Sequence, residues 1–240
     1  MTDELRPRRR VASGATTETI QTSIARAAVQ DATHRDVSPA NAPRYLEIGC
    51  RIPREYFWLI GWGESDVGIE TGSYDAALTM AGIENFNVML YSSVLPPEAE
   101  ELPHLPAIHH GSVLEGIIAV QHTDRPGTQI TAGLMLAKVV RKSGAHLGGF
   151  ACEYSGYGTL EDARANLDTA MRELFQRRYA PGLYNLEVDK AVIRSFTPTK
   201  SFGTILVGIG FSSYVVPVLR NEVAVTPSHK DKSHVVYATR

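Results

Sequence analysis

Cysteine is nearly absent: Cys50 and Cys152 are the only two among 240 residues. Two thiols cannot build a disulfide framework or a four-thiolate zinc site, and a cytoplasmic location is the expectation. An excess charge of one sign is lacking too. The 24 Lys and Arg face 26 Asp and Glu, a formal net of −2. No basic surplus is present to draw nucleic acid or an anionic membrane, so neither is expected as a partner. Long apolar runs are scarce. Phe202–Leu219 is uncharged, but it is broken by Gly203, Gly208, Gly210, Ser212-Ser213 and Pro217 and is rich in Val and Ile. It reads as one or two buried strands rather than a membrane span. The basic start, MTDELRPRRR, is followed by no apolar stretch and does not read as a secretory signal.

Several motifs are missing. The chain has no phosphate loop, no complete dinucleotide fingerprint, no paired-cysteine metal motif and no Gly-x-Ser-x-Gly elbow. Gly61-Trp62-Gly63 lacks a third glycine and reads as the end of a strand. His109 and His110 are adjacent, and on a strand they would point to opposite faces, so no metal site is expected from them.

What is present has a clear order. Residues 1–44 read as a flexible N-terminal extension, with a basic cluster at Arg6–Arg10, a short helix across Ser23–Gln30 and the Pro-rich SPANAP. Residues 45–220 read as the folded domain, and 221–240 as a loose polar tail. Within the domain, Tyr56–Gly63, Asn87–Tyr91, Val113–Gln121, Gln129–Val140, Gly148–Tyr154, Leu186–Phe196 and Gly203–Val216 read as strands. Gly72–Ala81 reads as a short helix stopped by Gly82. Thr159–Arg178 reads as the strongest helix, with Thr159 and Asp162 as a capping box and Leu160, Ala163, Leu167, Ala170, Met171 and Leu174 as its apolar stripe. Runs of strands with two helices, and no regular βαβ alternation, predict the α+β class.

The Ser92-Ser93 pair stands between a strand and Val94-Leu95-Pro96-Pro97, a segment that cannot continue a helix. Composition alone makes it a turn. Glu153 is a lone acid in an otherwise apolar strand, where burying a charge is costly without purpose.

These residues sit in a longer pattern. Gly63-Glu64-Ser65-Asp66, Tyr74-Asp75-Ala76-Ala77-Leu78, Ala81-Gly82-Ile83, Asn85-Phe86-Asn87-Val88 and Ser92-Ser93-Val94-Leu95-Pro96-Pro97-Glu98-Ala99-Glu100 occur in that order. Thr123–Gly127 and Gly148–Gly156 follow. Together, over about residues 53–216, they resemble the pyruvoyl-dependent arginine decarboxylases. The resemblance implies a four-layer αββα sandwich. It implies a homotrimer or a dimer of trimers, with active sites between subunits. It also implies self-cleavage between Ser92 and Ser93. The Ser93 hydroxyl attacks the Ser92 carbonyl to form an ester, elimination leaves dehydroalanine, and hydrolysis gives a pyruvoyl cofactor at residue 93. That group would take the amine of an amino-acid substrate as a Schiff base and act as the electron sink for decarboxylation. By the same resemblance, Asn87 stabilises the oxyanion during processing, Glu153 returns a proton to Cα after CO2 leaves, Asp75 receives a guanidinium, and Thr71 lines the side-chain pocket. The implied reaction is L-arginine to agmatine, a step of polyamine biosynthesis.

The pattern lapses in three places. Thr71-Gly72 replaces Leu-Asn, Glu84 replaces Gly, and Leu114-Glu115 stands where the family has Val-Pro. The first two leave open the same chemistry on another amino acid. Two other classes also stay open. One is an unprocessed homologue acting as a scaffold or regulatory partner; the other is a metal enzyme built on His109 or His110.

Overall fold

The computed structural model describes residues 45–180 and 182–223. The expected N-terminal extension, its Arg6–Arg10 cluster and its Ser23–Gln30 helix lie outside the described residues, as does most of the 221–240 tail. Ile48–Leu219 forms one compact unit, built as a mixed α+β fold.

Its strands in chain order are β2 (Ile52–Ser65), β3 (Asn87–Leu90), β4 (Val94–Leu95), β5 (Glu100–Glu101), β6 (Val113–Thr123), β7 (Ile130–Arg141), β8 (His146–Gly156), β9 (Tyr184–Phe196) and β10 (Phe202–Val215). Before them β1 (Tyr45–Ile48) and after them β11 (Val218–Val223) pair with each other in a two-stranded sheet. The last three residues of β11 therefore fall where a loose tail was expected. The helices are α1 (Asp75–Ala81) and α2 (Leu160–Arg178).

A five-stranded sheet runs in the order β3-β6-β10-β2-β5, and a four-stranded sheet in the order β4-β8-β7-β9. Ile117, Ile205, Val207 and Ile209 of the first pack with Ile130, Leu134, Leu136 and Ala151 of the second in one buried cluster. The opposite face of the five-stranded sheet, with Phe57, Leu59 and Leu206, packs on Ala77 of α1. The opposite face of the four-stranded sheet, with Met135, Phe150 and Cys152, packs on Leu167 and Met171 of α2. Strands β7 and β10 are thus covered on both faces. That explains why they are almost continuously apolar, and why Phe202–Leu219 has the look of a membrane segment without being a helix. No described helix is long and apolar enough to cross a membrane.

Two expectations need correction. Gly61 and Gly63 do not end their strand; they sit inside β2. Their role is close approach. A Cβ at Gly61 would overlap the Ala77 carbonyl, and one at Gly63 would lie 2.5 Å from the Ala76 Cβ. Bare backbone at both positions lets α1 dock directly on the sheet. The stripe of α2 is also narrower than expected. Ala163, Leu167 and Met171 are buried, with Leu174 and Phe175 packed beside them, whereas Leu160 and Ala170 are exposed. The buried positions recur at i+4, and Ala170 lies about 100° round the helix from Met171. Each large buried side chain of this stripe contributes about 1.5–3 kcal/mol. The start of α2 is as expected: Thr159 Oγ1 accepts from the Asp162 N–H at 3.1 Å, and the Asp162 carboxylate accepts the Thr159 N–H at 2.9 Å.

Candidate active site

The serine pair lies where the chain leaves one sheet for the other. β3 runs parallel to β6, with Leu90 opposite Gly116. The last bond on this side is from the Tyr91 N–H to the Gly116 carbonyl, at 2.7 Å. Three residues later β4 has joined the four-stranded sheet, with Val94 opposite Phe150 and Leu95 opposite Gly149. Ser92-Ser93 is the crossing, and it is held tightly. The Val94 N–H donates to the Ser92 carbonyl at 2.8 Å, closing a three-residue turn centred on Ser93. The Ala151 N–H donates to the Ser93 carbonyl at 3.2 Å.

Glu153, on β8, reaches this turn. The Ser93 hydroxyl donates to its carboxylate at 2.9 Å. Glu153 as a residue is exposed, but protein atoms around its carboxyl bury that group in part. That burial pushes its pKa above the ordinary carboxylate value, and the Ser93 hydrogen bond pulls the other way. The carboxyl therefore keeps a proton to higher pH than a surface glutamate does. Here the carbonyl of Ser92 is polarised by an N–H, the Ser93 hydroxyl is oriented, and a carboxyl with a raised pKa is in direct contact. That arrangement suits acyl transfer followed by proton donation.

The other expected site residues are more dispersed. The amide of Asn87 donates to the Gly111 carbonyl at 2.9 Å. At about 3.3 Å per strand residue, Asn87 lies roughly 13 Å along β3 from Tyr91. The structure therefore does not bring it to the Ser92 carbonyl of the same chain. The N–H found on that oxygen is the one from Val94, a backbone group that no sequence motif marks.

Thr71 and Asp75 are four residues apart across a wide turn, Ile69–Tyr74, that leads into α1 and is closed by a bond from the Ser73 N–H to the Gly68 carbonyl at 3.0 Å. Both side chains are exposed. They belong to the layer docked on the five-stranded sheet, whereas Glu153 is on the other sheet. Beneath them a buried polar chain pins the turn. Ser73 Oγ is 2.8 Å from Thr204 Oγ1, which is 2.8 Å from His122 Nδ1. Burial lowers the pKa of His122 and favours the neutral ring. Sequence reading missed this chain, since a buried serine and threonine carry no signal of their own. Glu84 is exposed and accepts from the Asn85 amide at 3.0 Å. His109 and His110 are exposed in a loop, not on a strand. Among the described residues no group of three or more His, Cys, Asp or Glu is placed to hold a metal.

Comparison with known proteins decides the family. The model of the pyruvoyl-dependent arginine decarboxylase family matches residues 55–216. The chain belongs to that family. Its relatives include the pyruvoyl-dependent arginine decarboxylase AaxB of Chlamydia trachomatis serovar L2, 42% identical over 121 residues, covering 45% of this chain and 62% of the relative. The AaxB of Chlamydia abortus is 41% identical over the same coverage. The pyruvoyl-dependent arginine decarboxylase of Thermococcus kodakarensis is 32% identical over 120 residues, covering 50% of this chain and 74% of the relative. The chain thus spans 62% of the length of the chlamydial relatives it matches.

Proposed function

We propose that the protein is a self-processing pyruvoyl-dependent decarboxylase that converts L-arginine to agmatine and CO2. The observation that carries this reading is the turn at Ser93, where the Ser92 carbonyl accepts the Val94 N–H and the Ser93 hydroxyl meets Glu153. In the processing step the Ser93 Oγ forms a bond to the Ser92 carbonyl carbon. The Ser92–Ser93 C–N bond breaks, and the hydroxyl proton passes to the departing nitrogen. The Val94 N–H offsets the charge that grows on the carbonyl oxygen. We assign Asn87 to the same event as the anchor of β3, through its bond to the Gly111 carbonyl, in place of the oxyanion role, which falls to the Val94 N–H.

The site fits a pyruvoyl group at residue 93, since the turn and the Ala151 N–H already fix that residue. Bound there, the group supplies an electron sink for the carbanion left by CO2. Glu153 holds the proton that Cα then receives, and its raised pKa keeps it protonated for that task. Asp75 pairs with the guanidinium, and Thr71, on the same turn, borders the side-chain pocket.

The two facing sheets, each with a helix on its outer side, are read as a four-layer αββα sandwich spanning residues 45–220. The assembly is read as a homotrimer or a pair of trimers with sites between subunits. In support, Met89, Leu90, Val94 and Val113 are exposed apolar residues around the cleavage segment. Asp75 and Glu153 also lie on different sheets. Cys50 and Cys152 are both free thiols, in keeping with the cytoplasm.

The test is a denaturing gel with intact mass on the purified chain and on Ser93→Ala. The wild type is expected as two pieces, 1–92 and 93–240, the second starting with a blocked pyruvoyl end, while Ser93→Ala stays whole. A wild type that remains a single 26.2 kDa chain would overturn the reading in favour of an unprocessed scaffold. Screening single amino acids for amine release then decides the substrate, because Thr71-Gly72 and Glu84 depart from the family pattern.

A further inference from the structure

Glu115 is a second lone acid in an apolar strand, Leu114-Glu115-Gly116-Ile117-Ile118, and it is only 3% exposed. A carboxylate buried that far is costly unless it is paired and hydrogen-bonded. Both oxygens are engaged. One is ion-paired with the Arg51 guanidinium. The other accepts the Tyr91 hydroxyl at 2.8 Å. The Arg51 guanidinium also lies 5.0 Å over the Tyr214 ring, and the Tyr91 ring packs 5.7 Å from Phe211. Burial, with Glu115 adjacent, pushes the pKa of Tyr91 and of Tyr214 upward, so both phenols stay neutral.

Tyr91 is therefore fixed at two points by neighbouring residues of β6. Its N–H is bound to Gly116 and its hydroxyl to Glu115. Tyr91 is also the residue immediately before Ser92. Nothing in the proposed decarboxylation chemistry uses this cluster, and among the described residues none of its hydrogen bonds goes to the side chains of Ser93 or Glu153. We infer that Glu115, acting through Tyr91, is a positioning residue for self-cleavage: it clamps the chain just before the Ser92–Ser93 peptide, while the Val94 N–H holds the Ser92 carbonyl and the Ala151 N–H holds the Ser93 carbonyl. Attack by a neighbouring hydroxyl depends steeply on such alignment. The inference rests on the self-processing reading above.

The experiment follows cleavage of newly made full-length chain over time, by denaturing gel and intact mass, for wild type, Tyr91→Phe, Glu115→Leu and Glu115→Gln. Each variant is also made on Ser93→Ala, and its melting temperature is measured in the uncleaved state. Tyr91→Phe and Glu115→Leu are expected to slow cleavage about tenfold or more, which is the scale for losing a hydrogen bond to a charged group. Glu115→Gln keeps an acceptor for the Tyr91 hydroxyl and is expected to recover most of the rate. Cleavage at the wild-type rate in Tyr91→Phe, which loses only a hydroxyl, overturns the inference even if Glu115→Leu fails to fold. So does slowing by Glu115→Gln as severe as by Glu115→Leu. A wild type that never cleaves overturns the functional reading instead.

Discussion

Glu153 and Glu115 are both single acids in apolar strands, and they hold the residues on either side of one peptide carbonyl. Glu153 binds Ser93, just after it; Glu115 binds Tyr91, just before Ser92. Their surroundings differ. Glu115 is dry and matched by a guanidinium, so its charge is neutralised where it stands and its oxygens serve as fixed acceptors. Glu153 has partial burial at its carboxyl and, among the described residues, a serine as its hydrogen-bond partner, so its pKa rises and it becomes a group suited to hold and release a proton. Under the proposed function, the same residue type in the same kind of strand would thus be turned to anchoring in one place and to proton transfer in the other by what faces it.

The comparison breaks first at Glu153→Gln. The amide oxygen still accepts the Ser93 hydroxyl, so cleavage should proceed, but no proton can be delivered. Decarboxylation per mature site is expected to fall about 10²–10⁴-fold. Equal loss of cleavage and turnover would erase the distinction between the two acids. The wild type should also show the sign of the pKa shift. Because the folded-state value is raised, turnover should decline as pH rises through it. The stability that Glu153 contributes below the ordinary carboxylate pKa should be lost over the same rise. A pH–rate profile on the processed enzyme, set beside melting curves, reads both.

A smaller effect is expected from Arg51→Ala, which leaves the Glu115 carboxylate buried without its cation. Arg51 is itself half-exposed, so the cost should be about 2 kcal/mol, a fall in melting temperature of roughly 4–8 °C for a domain of this size. No change on heating would mean that the ion pair contributes nothing to holding Tyr91. Smallest is Thr159→Ala, which removes the cap of α2 far from both acids. About 1 kcal/mol, or roughly 2–4 °C, should be lost, with cleavage unchanged.

Much of this was legible in the sequence, for physical reasons. Strands covered on both faces announce themselves as apolar runs, and α2 announces itself by its cap and i+4 spacing. Glu153 stood out as a charge in an apolar strand, and its link to Ser93 came from the family pattern. Glu115 carried the same signal and was passed over as a mere departure from that pattern. Its partners, Tyr91 and Arg51, are distant in sequence and meet only through strand pairing. The Val94 N–H was illegible, because a backbone donor is defined by the turn it sits in and not by its residue type. Gly61 and Gly63 were misread as punctuation, since a glycine that ends a strand and one that admits a helix look alike in one dimension.

Those two glycines have a further consequence. Where Gly61 and Gly63 meet α1 they face the small side chains of Ala76 and Ala81 and the main chain of Ser73 and Ala77, so a Cβ added at either glycine collides with its neighbours. That leaves the outward surface of the helix and its leading turn, where Thr71 and Asp75 stand exposed, as the part free to vary; under the proposed function this is where ligand preference would be rewritten. Such rewriting can proceed one residue at a time without disturbing the scaffold.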